Sequence, residues 1–176
     1  MRAMLLALLL PLGGACAAPG DAAPPMAGDP APDFAAPTLE GDTLALSELR
    51  GQVVLLNIWA TWCPPCRNEM PALEQLHRDL APAGLRLLGA SIDDAKAEDQ
   101  VRAFIAQLGI TYTILLDPAA GSPEMFGAPG IPATYLIGRD GRLLKRWIGE
   151  IDPVSEAIRG PINDALWEWP AGVEQP

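Results

Sequence analysis

The chain has 176 residues, enough for one ordinary domain with a short appendage, and 49% of them are hydrophobic, which suffices for a buried core. The net charge of −10 at pH 7, without a cluster of basic residues, argues against binding to nucleic acid or to anionic lipid through charge. We therefore expect a single acidic folded unit that does not bind nucleic acid.

The first residues have the layout of a secretory signal. An apolar run, Met4 to Leu12, follows one Arg and precedes small residues, and it is too short to span a bilayer comfortably. We predict export, with residues 1–17 as the signal. The alternative is that Leu5 to Leu10 form a buried helix, although no amphipathic pattern surrounds them.

Cys16 has two interpretations. In a lipoprotein signal, small residues precede a lipid-modified cysteine; Gly14 and Ala15 fit that pattern, but Gly13 holds the position where Leu is usual. Lipidation would tether the protein to a membrane through its N-terminus. The alternative is ordinary cleavage at the small residues around Cys16. In neither case do we expect Cys16 to take part in the chemistry.

Residues 18–32 are dominated by Ala, Pro, Gly and Asp and hold almost nothing to bury. Such a segment cannot offset its own ordering entropy, so we predict a linker. The folded domain is expected to span residues 33–168, followed by a tail at 169–176.

The first part of the domain alternates strands and helices. A short strand at Thr43–Leu46 is predicted to lead into a helical turn capped by Ser47. The run Gln52–Trp59 is almost wholly β-branched and aliphatic, as in a strand that is buried on both faces of a sheet. A helix over Cys63–Leu80 should follow, and Pro71 should kink it without ending it.

The alternation continues with a strand, a helix, a strand and a short helix, predicted at Leu85–Ser91, Ala95–Leu108, Tyr112–Leu116 and Pro123–Phe126. This order implies parallel strands joined by helical crossovers.

The end of the domain has a different pattern. Two strands joined by Gly138 to Gly141, with Asp140-Gly141 as the turn pair, predict an antiparallel hairpin. A closing helix is expected at Pro153–Trp167, and Gly160-Pro161 should break or bend it.

Cys63 and Cys66 lie on the opening turn of the helix that follows the buried strand. Their spacing places them on one helix face, so the two sulfurs can close a small disulfide ring. Unpaired N–H groups and the macrodipole at a helix N-terminus favour a thiolate. We predict that Cys63 is a nucleophile near the surface and that Cys66, one turn further in, is shielded.

Other uses of two thiols are less well supported. A structural zinc site needs four ligands, and only His77 and Cys16 are available beyond the pair. A purely structural disulfide with so short a ring would constrain the unfolded chain very little. Cu(I) binding is the more serious alternative, with Met70 as the nearest thioether. We expect no metal and no cofactor, and we place His77 on a solvated helix face.

The segment from Pro32 to Trp167 resembles the thioredoxin-like thiol-disulfide oxidoreductases of the exported ResA and TlpA type, which are related to the AhpC/TSA and Redoxin proteins. The resemblance rests on "APDFAAPTLEGDTLALSELRGQVVLLNIWATWCPPC", on an additional helix and strand between Asp93 and Leu116, and on "GIPATYLI". It implies an α/β thioredoxin-like fold with a central mixed sheet flanked by helices, a helix-strand insertion and an N-terminal strand extension.

The resemblance also implies a surface that binds the partner protein. Pro132 matches the cis-proline of the family, whose loop, with Ile131, faces the cysteines and pairs with the partner's backbone. Trp62 is expected to shield the thiol and to contact partners, and Pro64 and Pro65 lie between the cysteines at the same surface.

Proton handling is the other role that the resemblance implies. Glu69 matches an acidic residue three positions after the second cysteine, where it could move protons to or from Cys66. Asn57 stands where thioredoxin keeps a buried acid, which leaves proton handling to Glu69 or water. Ala133 differs from the acidic residue common at that position in the cytochrome c maturation relatives, so that subtype is disfavoured.

The implied function is an exported enzyme that reduces disulfides of client proteins. Cys63 would attack, Cys66 would resolve the mixed disulfide, and a membrane dithiol reductase would supply electrons. Two prolines between the thiols remove N–H donors, which fits a reductant better than a strong oxidant. A copper-handling dithiol module and a peroxiredoxin-like peroxidase stay as alternatives, although Thr61 lies two residues before Cys63, where the peroxidase motif requires three.

Overall fold

The structure is a computed structural model and describes residues 23–167. The predicted signal at 1–17, Cys16 and the predicted tail at 169–176 lie outside the described residues. Within the described range, no helix combines the length and the apolar character needed to cross a bilayer.

The strands are, in chain order, β1 (Ala35–Pro37), β2 (Thr43–Ala45), β3 (Val53–Trp59), β4 (Leu85–Ser91), β5 (Thr113–Leu116), β6 (Ala133–Ile137) and β7 (Leu143–Ile148). Five of them form one mixed sheet in the order β5-β4-β3-β6-β7. β3, β4 and β5 are parallel, whereas β6 and β7 are antiparallel to their neighbours. The predicted thioredoxin-like arrangement with a central mixed sheet is confirmed.

The helices are α1 (Pro64–Leu80), α2 (Glu98–Leu108), α3 (Gly121–Phe126) and α4 (Glu156–Trp167). α1, α2 and α4 contribute to the hydrophobic core on one side of the sheet, and α3 packs into the core on the other side. α2 and β5 form the expected insertion, and the antiparallel pair β1-β2 forms the expected N-terminal extension.

Strand β3 is the centre of the molecule because its side chains serve both cores. All seven of its residues are buried. Leu55 and Trp59 pack on the side of α1, while Leu56 and Ile58 pack on the side of α3. A strand with apolar residues at every position except one requires such a two-sided environment. The exception is Asn57, which is fully buried.

The two helices that contain proline are continuous. Pro71 does not end α1, as predicted. Of the break or bend expected in α4 at Gly160-Pro161, the break does not occur. Ile158 and Ile162, on either side of that pair, are buried in the core. Their burial offsets the hydrogen bond that proline cannot donate.

The hairpin between β6 and β7 forms as predicted. Gly141 has a φ of 74°, a conformation that favours glycine. Its N–H donates to the carbonyl of Gly138 at 2.8 Å and closes the turn.

Part of the segment before Asp33 pairs with the edge of the sheet. The N–H of Gly28 donates to the carbonyl of Leu143 at 2.7 Å, and the N–H of Leu143 donates to the carbonyl of Asp29 at 2.9 Å. These bonds add part of the predicted linker to the edge strand β7, whose outer backbone groups would otherwise lack protein partners. Gly28 and Asp29, within the predicted linker, thus contact the folded domain.

Candidate active site

The two cysteines form a disulfide at the start of α1, with an S–S distance of 2.04 Å. Cys63 is the N-cap residue, and the N–H of Cys66 donates to its sulfur at 3.3 Å. Pro64 and Pro65 occupy the first helical positions, where backbone N–H groups have no intrahelical partner and proline is tolerated. Thus the stiff dipeptide starts the helix that carries both sulfurs.

The two cysteines differ only slightly in exposure. Cys66 is fully buried, as predicted, but Cys63 is only 3% exposed and belongs to the hydrophobic core, so it is less accessible than the sequence indicated. The chain turns immediately before it, because the N–H of Cys63 donates to the carbonyl of Ala60 at 3.2 Å. The exposed group of this turn is Trp62, with 62% of its surface accessible.

The loop before β6 lies at the same edge of the sheet as the cysteines. The peptide bond between Ile131 and Pro132 is cis, as the resemblance implied. Ile58, near the end of β3, pairs with Ala133, the residue after Pro132. This register brings Pro132 to the end of β3 from which the chain enters the cysteine segment. Ile131 is half-buried and Pro132 is buried.

Glu69 lies on the buried face of α1 and is 2% exposed, which excludes a solvated helix position. Its Oε1 accepts a hydrogen bond from Nδ2 of Asn57 at 2.7 Å, and its Oε2 accepts one from the N–H of Ile151 at 2.8 Å. Burial raises its pKa from 4.5 to about 7, because it outweighs these two bonds; Glu150 adds a smaller repulsion in the same direction.

Asn57 links Glu69 to the centre of the sheet. Its Nδ2 also contacts Oγ1 of Thr134, the residue directly opposite on β6, at 3.0 Å. Its Oδ1 is buried and accepts no hydrogen bond from residues 23–167. Rotation of the amide by half a turn would present Oδ1 to Glu69, where it can accept a hydrogen bond from a protonated carboxyl. The pair can therefore accommodate either protonation state of Glu69.

A second buried carboxyl, Asp93, was not identified from the sequence. It accepts hydrogen bonds from the N–H of Thr61 at 2.9 Å, from the hydroxyl of Thr61 at 2.6 Å and from the hydroxyl of Ser91 at 2.7 Å. Nε2 of Gln100 donates to the same Thr61 oxygen at 3.0 Å. The position of Asp93 just after β4 was the available signal, because the carboxyl ends of neighbouring parallel strands meet at one edge.

His77 does not lie on a solvated face as predicted. It is half-buried in the last part of α1, and its ring meets the ring of Tyr112 edge-on at a centroid distance of 6.0 Å. Burial lowers the pKa of His77 below its usual value. The residue lies at the opposite end of α1 from the cysteines.

Comparison with known proteins agrees with this geometry. A sequence model of the AhpC/TSA family matches residues 27–146. The thioredoxin-like protein YneN of Bacillus subtilis (strain 168) is 40% identical over 115 residues, which are 65% of this chain and 66% of YneN. The thiol-disulfide oxidoreductase ResA of Bacillus thuringiensis (strain Al Hakam) is 32% identical over 123 residues, which are 70% of each chain.

A solved structure shows the same fold. A Chlorobium tepidum protein that carries the name thiol:disulfide interchange protein DsbE has a TM-score of 0.74 and 33% identity with this chain. The match covers 81% of this chain and 99% of the Chlorobium tepidum protein. The names of the ResA and DsbE relatives refer to thiol-disulfide chemistry, which supports that activity over the copper-handling and peroxidase alternatives.

Proposed function

We propose that this chain, a thiol-disulfide oxidoreductase that belongs to the AhpC/TSA family, is exported and reduces disulfides of partner proteins. The observation that carries this proposal is the Cys63–Cys66 disulfide at the N-terminus of α1 with the buried carboxyl of Glu69 on the same helix. The sulfur of Cys63 is an electrophile in the disulfide and a nucleophile in the dithiol. The carboxyl of Glu69 can take up and release a proton.

In the first proposed step, the thiolate of Cys63 attacks one sulfur of a client disulfide. A new sulfur–sulfur bond forms between enzyme and client, the client disulfide breaks, and the displaced client sulfur leaves as a thiolate that takes a proton from water. The N–H of Cys66, which already donates to the sulfur of Cys63, supports the thiolate. The macrodipole of α1, whose positive end lies at Cys63, favours it further.

In the second step, Cys66 releases the client. Its thiol gives a proton to Glu69, its sulfur attacks the sulfur of Cys63, and the second client sulfur leaves as a thiolate. Two electrons thereby pass from the enzyme dithiol to the client, and the enzyme is left with the Cys63–Cys66 disulfide. A membrane dithiol reductase, by analogy with the ResA and TlpA type, would restore the dithiol.

Glu69 suits this role because its pKa is raised to about 7, so the carboxylate and the protonated carboxyl are both populated at neutral pH. Asn57 supports the role, because one of its amide atoms matches each protonation state. A proton taken from Cys66 would therefore not leave the carboxyl without a hydrogen-bond partner.

We assign client binding to the surface around Cys63. Trp62 offers a large exposed aromatic group, and aromatic side chains often anchor protein partners. Pro64 is exposed beside it, Pro65 is half-buried, and the loop of Ile131 and Pro132 lies at the same edge of the sheet. These residues would hold a client segment against the nucleophile.

A trapping experiment tests the proposed mechanism. In Cys66→Ala the second step is removed, so mixed disulfides with client proteins should accumulate in cells and should disappear when a reductant is added. Cys63→Ala is the matched control and should trap nothing. A catalytically active Cys63→Ala protein, together with an empty Cys66→Ala trap, would refute the assignment of roles.

The direction of electron transfer has a separate test. Pro64 and Pro65 lack the N–H groups that could further stabilise the thiolate, which favours a reductant. We expect a reduction potential below that of the general oxidant in the same compartment. A potential above that value would reverse the direction while leaving the exchange chemistry intact.

Export is proposed from residues 1–17, and the tether from Cys16. Deletion of residues 1–17 should retain the protein in the cytoplasm. If Cys16 is lipidated, Cys16→Ala should move the protein from the membrane fraction to the soluble exported fraction. An unchanged distribution would identify ordinary cleavage instead.

A further inference from the structure

Asp93, in the segment between β4 and α2, is hydrogen-bonded to the turn that precedes Cys63. The carboxylate of Asp93 binds Thr61 at two points, with Oδ2 on the backbone N–H at 2.9 Å and Oδ1 on the hydroxyl at 2.6 Å. Gln100, on α2, donates to the same hydroxyl oxygen at 3.0 Å. Thr61 is thus held through both its backbone and its side chain, and only 4% of its surface is exposed.

Thr61 and Trp62 are the central residues of the turn closed by Cys63 and Ala60, whose N–H and carbonyl are 3.2 Å apart. The conformation of this turn sets where the sulfur of Cys63 lies relative to the N–H of Cys66, a contact of 3.3 Å. It also sets the direction in which Trp62 projects into solvent. The sulfur of Cys63 and the side chain of Trp62 both belong to the proposed client site. Asp93 and Gln100, which bind Thr61 in this turn, are far from the cysteines in the sequence.

We propose that Asp93, with Gln100, is a positioning residue for the dithiol: it fixes Thr61 and thereby holds the sulfur of Cys63 against the N–H of Cys66. This inference rests on the proposed nucleophilic role of Cys63. It also gives a function to the helix-strand insertion, because Gln100 on α2 donates a hydrogen bond to the hydroxyl of Thr61.

The hydrogen bonds are of a kind that can carry this role. Hydrogen bonds in which a carboxylate accepts are shorter and stronger than those between neutral groups. Their removal in a buried place also leaves an unpaired carboxylate oxygen, which is costly. A loosened turn would let the sulfur move away from the helix N-terminus, and the N–H contact that stabilises the thiolate weakens steeply with distance and angle.

Thr61→Val in the full chain tests the proposal. Valine keeps the size, the branching and the N–H bond to Asp93, but it removes the hydroxyl that donates to Asp93 and accepts from Gln100. The measurement is the rate of alkylation of reduced Cys63 by iodoacetamide as a function of pH, in a Cys66→Ala background. We expect the apparent pKa of Cys63 to rise by about one unit, so that the alkylation rate is roughly tenfold lower at pH values below both pKa values.

Two comparisons separate positioning from general destabilisation. Thr61→Ser restores the hydroxyl and should recover most of the lost rate. Ser91→Ala removes a different hydroxyl from Asp93 without touching the turn; it should lower the free energy of unfolding while changing the alkylation profile less than Thr61→Val does. Gln100→Ala serves if Thr61→Val does not fold. Gln100 is exposed, and its removal should likewise raise the pKa of Cys63.

The outcomes distinguish this inference from the proposed function. A reactive, low-pKa Cys63 in the wild type whose profile is unchanged in both Thr61→Val and Gln100→Ala would overturn only the positioning role. Equal losses in Thr61→Val and Thr61→Ser would overturn it as well. A wild-type Cys63 that titrates as an ordinary thiol, near a pKa of about 8.5, would defeat the proposed function itself.

Discussion

Two buried carboxyls flank the dithiol, and they are held differently. Asp93 is 6% exposed and lies behind the turn that leads to Cys63, whereas Glu69 is 2% exposed and lies three residues after Cys66. Asp93 accepts three hydrogen bonds, two of them from hydroxyl groups that point at it. Glu69 accepts two, from the side chain of Asn57 and from one backbone N–H.

The difference shows how the surroundings of a carboxyl decide what it can do. The two donors of Glu69 do not offset its burial, and its pKa rises to about 7. Asn57 can turn its oxygen toward a protonated Glu69, so a proton can arrive or leave without a lost contact. Asp93 has a full set of donors fixed on neighbouring elements, which suits it to hold Thr61 in place.

The largest expected effect is on the second step of exchange. Glu69→Gln removes the proton acceptor proposed for Cys66, so the mixed disulfide should resolve about 10²- to 10⁴-fold more slowly, the usual contribution of general acid-base catalysis. The first step should change little, because Cys63 depends on the helix N-terminus. Rapid mixing of reduced enzyme with a client disulfide measures the two steps separately.

Glu74→Gln is a suitable control for that variant. Glu74 is also buried on α1, but its carboxyl binds the N–H and the hydroxyl of Thr111 at 2.7 Å each. Although burial alone would raise the pKa of Glu74, the hydrogen bonds from Thr111 and Arg78 outweigh it and lower the pKa. Loss of stability without a slower second step is expected for Glu74→Gln. Equal slowing of both steps in Glu69→Gln would contradict the assigned role.

A smaller effect is expected on stability. The pKa of Glu69 is about 7 in the folded protein and 4.5 ordinarily, so between these values the folded state binds more protons than the unfolded state. Its contribution is therefore fully present below pH 4.5 and is lost as pH rises through 7, a change of about 3 kcal/mol at 1.36 kcal/mol per pKa unit. Urea unfolding at pH 5 and at pH 7.5 measures the larger part of this change.

The comparison with Glu69→Gln isolates the contribution of this one group. His77, whose pKa is lowered, contributes in the opposite direction over part of the same range, so only the difference between the two proteins is informative. The free energy of unfolding of the wild type should therefore fall relative to that of Glu69→Gln as pH rises from 5 to 7.5. A difference that does not vary with pH would show that Glu69 does not titrate in this window.

The smallest expected effect comes from Asn57→Asp, which places a second carboxyl at 2.7 Å from Glu69. Two carboxyls at this distance cannot both ionise easily, so the pair should titrate in two steps, with the upper one above the wild-type value of about 7. The pH-rate profile of the second step should move upward by about one unit. An unmoved profile would mean that Asn57 does not control the protonation of Glu69.

Much of the fold and part of the site could be predicted from local sequence patterns. The continuous apolar run of β3, the cysteine pair at the start of α1 and the Asp140-Gly141 turn each reflect residues close together in the chain. The resemblance additionally implied that Pro132 is cis, which the structure shows. The strand, the cysteine pair and the turn need only a few neighbouring residues, so their signal is present in the sequence itself.

Other features depend on which distant residues meet, and local patterns did not reveal them. Gly28 and Asp29 form backbone hydrogen bonds to Leu143 of β7, and α4 continues past Pro161, where its neighbours are buried in the core. Cys63 is nearly buried because the turn before it folds the chain inward. No local pattern contains that information.

The sequence by itself determined that two thiols lie three residues apart at the start of a helix after a buried strand, since spacing and periodicity are properties of adjacent residues. Only the tertiary structure decided what surrounds those thiols. Asn57 and Glu69 are 12 residues apart and Thr61 and Asp93 are 32 apart, yet each pair is in direct contact. The raised pKa of Glu69 follows from its burial where α1 packs on β3, and the contact of Asp93 with Thr61 follows from the parallel pairing of β3 and β4.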